Sequence, residues 1–218
     1  MSTYRAALPI LLALAARLKV SRETKFLAAA IFTDRDRPVA LPPQEDTLCT
    51  LICLDKAAKT HSKGECISMA DIQTAAAEVL GPAFSSTDLK RVELWLEPRL
   101  STGNLPQLSS DAMLDMLKHL QRTGMQVFAG ATSDEGLLGL CDTILEALLF
   151  CPGLQTCLTC GGSLLAAAVI GAAVLMNGKQ SERHGYPGLL ALLADIAGHP
   201  KEVISAQVRM IMSTVLQQ

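Results

Sequence analysis

The chain has 218 residues, half of them apolar and 18% charged, with a formal net charge of −2. That length holds one large domain or two small ones, each able to bury a core, and the apolar content excludes a disordered chain. No block of like charge occurs, so there is no electrostatic footprint for nucleic acid, and protein surfaces are the expected partners.

Ala and Leu dominate, aromatics make up only 4% of the chain, and β-branched runs are scarce. The expected class is all-α. Seven cysteines, Cys49, Cys53, Cys66, Cys141, Cys151, Cys157 and Cys160, are an odd number set mostly in apolar helical patterns. A reduced intracellular protein explains them better than a disulfide scaffold. The longest apolar run, Leu164 to Met176, is short for a bilayer span, so no membrane is expected.

In chain order, Leu8, Leu11, Leu12, Ala15 and Leu18 repeat at three-and-four spacing and predict an amphipathic helix over 4–18. The same N-terminal stretch, with one basic residue before Ala6–Ala16, also fits a signal peptide's apolar region; a first core helix is the preferred reading. Ser21 is a plausible N-cap for a helix through Phe26, Leu27, Ala30 and Ile31 to about Arg35. DRDRPVALPPQED breaks the pattern with three prolines. A helix over about Asp46 to Thr60 follows, with Leu48, Leu51 and Ile52 inward and Asp55, Lys56 and Lys59 towards an edge. HSKGEC is the turn after it.

Ser68 with Asp71 resembles a capping box, opening a helix that ends at Gly81-Pro82. Ser85 with Asp88 repeats the device before Leu89, Val92, Trp95 and Leu96, with a stop expected near Pro98. STGNLPQ is a linker, so a boundary after residue 103 is expected, giving units 1–103 and 104–218. Five more helices are predicted, over 109–123, 133–150, 163–177, 187–197 and 199–216. Thr132 with Glu135 is a further capping box, and His199 before Pro200 reads as an N-cap. The helix over 163–177 is apolar all round, as in helices enclosed by others.

Few residues suggest chemistry by themselves. Cys157-Leu-Thr-Cys160 with Cys151 is compatible with zinc or a cycling dithiol, but no second CxxC or paired histidine lies near, His184 being the closest histidine. The histidines His61, His119, His184 and His199 form no local nucleophile–base arrangement. Gly161-Gly162 lacks the lysine of a phosphate loop. No enzyme activity, cofactor or metal is expected.

Several segments are similar to the cyclin family. VSRETKFLAAAIFTDR looks like the cyclin-box segment in which a polar cap and Glu-Thr precede an apolar helix ending in Asp-Arg, here one residue later. LICLDKAAKT resembles the third cyclin-box helix, with Ala58 in place of a serine, and KRVELWLEPRL resembles the fifth. SLLAAAVIGAAVLMNGKQ resembles the Ala-rich third helix of the second cyclin fold. The resemblance implies two tandem five-helix cyclin-like folds, and among cyclin-box proteins the chain is most similar to the short ones of meiotic crossover formation. It departs from typical cyclins in two places. TYRAALPI stands where a Met-Arg-Ala-Ile-Leu run and tryptophan are usual, which puts groove-mediated substrate recognition in doubt. THSKG replaces the paired acids after the third-helix lysine.

The resemblance further implies a non-catalytic regulatory subunit of a cyclin-dependent kinase, in crossover recombination or cell-cycle control, nuclear or cytoplasmic. Its kinase-binding residues would be Lys59 and Glu93, matching the family's lysine and glutamate that bond to the kinase main chain. A lysine donates three hydrogen bonds and a carboxylate accepts several, so the pair suits exposed backbone groups. Local pairing is the competing reading: Lys59 with Asp55 and its helix C-terminus, Glu93 with Lys90. An adaptor of the transcription-factor type, built on the same paired fold, is the alternative function.

Overall fold

In the computed structural model the described residues are 4–34, 43–61, 67–80, 85–100, 109–123, 134–150, 162–177 and 180–216. They form ten helices and no strand, so the all-α expectation holds among the described residues. The helices are α1 (Tyr4–Arg17), α2 (Arg22–Asp34), α3 (Pro43–His61), α4 (Met69–Leu80) and α5 (Ser86–Leu100). They continue with α6 (Ser109–Arg122), α7 (Asp134–Leu149), α8 (Gly162–Asn177), α9 (Gln180–Ala197) and α10 (Lys201–Val215).

The chain divides into two units, Met1–Pro106 and Gln107–Gln218. In the first, α3 packs against α1, α2, α4 and α5. In the second, α8 packs against α6, α7, α9 and α10. Among the described residues, each unit therefore wraps four helices around the third of its five. α8 achieves this with an apolar stretch rich in small residues, buried continuously from Leu165 to Val174. α3 does so with a mixed sequence: Leu48 to Asp55, then Ala57 and Ala58, are all buried.

The predicted caps set the helix starts. Ser68 Oγ accepts from the Asp71 amide at 3.2 Å, while Asp71 Oδ2 accepts from the Ser68 amide at 2.9 Å and hydroxyl at 2.7 Å. This reciprocal box satisfies two donors at the start of α4. Ser85 and Asp88 repeat part of it at α5, with Ser85 Oγ taking the Asp88 amide at 3.1 Å and donating to Asp88 Oδ2 at 2.6 Å. At α2, Ser21 Oγ accepts from the Thr24 amide at 3.2 Å.

The hydroxyl of Ser68, and then its amide, hold the Asp71 carboxyl below the usual carboxylate range. A depressed folded-state pKa contributes stability that is present above the unfolded value of 3.8 and lost as pH falls through the folded one. Ser68→Ala is expected to lower stability at neutral pH by about 1 kcal/mol. It should also remove part of the acid-side decline. Urea titrations at neutral pH and well below pH 3.8 check both, the gap between variant and wild type narrowing at the lower pH without closing, because Ser68 Oγ still accepts the Asp71 amide.

Several boundaries and placements differ from the sequence expectation. α9 begins at Gln180 rather than near 187, running through Pro187. Proline lacks the amide hydrogen and normally opens or breaks a helix, but here its ring is exposed and Leu189, Leu190 and Leu193 bury the following turns. α5 runs past Pro98 to Leu100. His199 is not the cap of α10. Pro200 holds that position at φ −58°, ψ 141° without a side-chain cap, and its carbonyl accepts from the Val203 and Ile204 amides. Leu14, not among the predicted core residues, is fully buried, whereas Leu12 and Leu18 are only half-buried.

Candidate functional site

The sequence places two candidate residues in the first unit, Lys59 near the C-terminal end of α3 and Glu93 in the middle of α5. α3 and α5 are packed together. Lys59 Nζ donates to Asp55 Oδ2 at 2.6 Å, one turn back along α3. Its side chain stays 61% exposed although its partner's is only 1% exposed. Glu93 pairs with Lys56 of α3, Oε1 to Nζ at 3.1 Å, both side chains being part-exposed.

The helical screw explains the arrangement. Asp55 follows Leu48, Leu51 and Ile52 by seven, four and three positions and so shares their buried face. Its expected place towards an edge is therefore corrected: Asp55 is buried. Lys56 is turned by about a third of a revolution from it and meets α5. Lys59 lies one turn beyond Asp55, where its charge also complements the C-terminal end of the helix dipole.

Of the local pairings considered for these residues, Lys59 with Asp55 is present, and Glu93 takes a partner from α3 instead of Lys90. The site is thus a quartet of two acids and two bases, with formal charges that cancel. The partnership of Lys56 with Glu93 is its unforeseen part. Asp55 Oδ1 is buried and accepts no hydrogen bond. A buried acceptor without a donor costs about 1–3 kcal/mol, and more where it is charged.

Chemically, the quartet offers N–H donors on Lys59 and a second carboxylate oxygen on Glu93, both at the surface. Among the described residues no group of three or more His, Cys, Asp and Glu could hold a metal ion. Cys49, Cys53 and Cys141 are buried. Cys66, Cys151, Cys157, Cys160 and Gly161 lie outside the described residues, as do the Thr132 cap, Gly81-Pro82, the 101–107 linker and the side chain of His184. No described helix is long and apolar enough to cross a membrane.

No protein-family model matches the chain, and no curated protein matches it in sequence.

Proposed function

We propose that the chain is a non-catalytic, cyclin-like regulatory subunit built of two five-helix folds, which binds a cyclin-dependent kinase through its first unit. The observation that carries this reading is the shared plan of the units: among the described residues, five helices each, the third of them enclosed by the other four. Recurrence of that plan within one chain supports tandem copies of one fold, and the segments similar to cyclins fall on α2, α3, α5 and α8. Fold alone does not carry function, so the contact residues are the second support. Lys59 and Glu93 both reach the surface and both keep hydrogen-bonding capacity after their internal pairings.

Catalysis in this reading belongs to the partner, whose mobile helix is biased towards its active position by the docked subunit. Crossover recombination is the process proposed for it, through the similarity to the meiotic cyclin-box proteins, with nuclear localisation following from that role.

Co-purification with cyclin-dependent kinases tests the proposal. Wild type is expected to retain a kinase, Lys59→Ala and Glu93→Ala each to weaken retention about tenfold, and the double variant to abolish it. Melting curves of the variants separate lost contact from lost fold. Retention unchanged by both substitutions removes Lys59 and Glu93 from the interface.

A further inference from the structure

The unpaired oxygen of Asp55 is unexplained by packing. Its side chain is 1% exposed and lies among Leu51, Ile52 and Ala58 in sequence, all buried. An apolar residue of similar volume usually serves stability better at such a position than a buried ion pair, and here one carboxylate oxygen also lacks a donor. Groups kept at a cost to stability are commonly kept for function.

What Asp55 does geometrically is hold Lys59. The 2.6 Å bond fixes the ammonium at the end of α3, and a lysine otherwise samples many rotamers that binding must freeze. One of the three ammonium N–H groups points to Asp55, while the 61% exposure of the side chain leaves the others facing outward. The pair is therefore a pre-aimed donor whose charge is already balanced. One turn back from Lys59 on α3, Lys56 does the same for Glu93, engaging Oε1 at 3.1 Å. A surface made of two internally neutralised pairs gains little from a charged partner, since each attractive charge carries its opposite beside it. It suits uncharged polar groups, the carbonyls and amides of an exposed main chain.

We propose that Asp55 is a positioning residue for partner binding: it pre-orients the Lys59 ammonium to donate to main-chain carbonyls of the docked protein. The inference rests on the kinase-binding reading above for the partner, but its first half concerns the free chain alone.

The experiment has two arms. In the free protein, the side-chain 15Nζ resonance of Lys59, assigned by its loss in Lys59→Met, should show a hydrogen-bonded ammonium with restricted reorientation. That signature should vanish in Asp55→Asn, although Asp55→Asn melts no lower than wild type and Asp55→Leu melts higher. A purely structural carboxylate gives the opposite melting result. In the second arm, a purified cyclin-dependent kinase catalytic subunit is titrated into four forms of the full chain: wild type, Asp55→Asn, Lys59→Ala and the double variant. Asp55→Asn should weaken binding about tenfold in the wild-type background and leave it unchanged where Lys59 is already alanine. Equal weakening in both backgrounds, or an ammonium signal untouched by Asp55→Asn, overturns the assignment. If wild type binds no kinase, the functional reading fails on that arm, and the ammonium arm still decides whether Asp55 orients Lys59.

Discussion

Replacing Gly171 with leucine is expected to abolish cooperative folding of the second unit, and Gly171→Ala to destabilise it by about 1–2 kcal/mol. Gly171 lies in the middle of α8, the helix that the other four helices of its unit enclose. A Cβ there would stand 2.9 Å from Val208 Cγ2 on α10, 3.3 Å from the Tyr186 hydroxyl and 3.7 Å from Leu190 Cδ2 on α9. Alanine would otherwise gain up to about 1 kcal/mol of helix propensity over glycine. The nearest contact reverses that gain, because a valine in a helix has essentially one χ1 rotamer and Val208 is buried. The Tyr186 hydroxyl, the second contact, is buried, and burial pushes its pKa up to about 12. Leucine adds further atoms in a direction already filled. Thermal denaturation reads the series, and Val208→Ala should cost less alongside Gly171→Ala than it does alone. A Gly171→Ala protein melting at or above wild type shows that α10 can move away.

The glycine also shows where the sequence stopped being informative. That α8 is enclosed follows from its apolar circumference, and the starts of α4 and α5 follow from Ser68–Asp71 and Ser85–Asp88, whose bonds form as read. These signals are local: a cap and its amide lie within one turn. Close approach of α8 to α10 involves residues 37 apart in sequence, Gly171 and Val208, and no pattern within either helix reports it. The start of α9 was misplaced because Pro187 carries a strong local preference that burial of Leu189, Leu190 and Leu193 overrides. Enclosure of α3 was hidden by the polar residues Thr47, Thr50 and Asp55, which are all buried. Asp55 itself was legible, since three-and-four spacing from Leu51 and Ile52 assigns it to the buried face whatever its charge. The link from Lys56 to Glu93 was not, because it depends on how α5 lies on α3.

That buried aspartate makes an exposed lysine unusually important. Lys59→Met is expected to destabilise the first unit by about 1–2 kcal/mol, whereas most substitutions of exposed lysines fall within about 0.5 kcal/mol. Methionine retains most of the side-chain volume and helix propensity, so the loss is electrostatic. Lys59 provides the hydrogen bond to Asp55 Oδ2, and Oδ1 already accepts none. Removing the ammonium leaves a carboxylate with 1% exposure and no donor on either oxygen. The lower half of the range for an orphaned charged group is appropriate, since the pair opens to water on the Lys59 side, which screens it. Lys59→Glu should cost more, setting two carboxylates one turn apart on α3. Because the damage lies in the orphaned acid, removing that acid should repair it: Asp55→Leu combined with Lys59→Met is expected to restore at least wild-type stability. Urea unfolding of the two single variants and the double one gives the cycle directly. A Lys59→Met protein as stable as wild type would mean that Asp55 finds another donor, and the pair would then be a surface contact of no thermodynamic weight. With the expected result, the first unit retains on the buried face of α3 a charge that lowers its stability, and the measured coupling is the free energy with which that charge holds Lys59 in place.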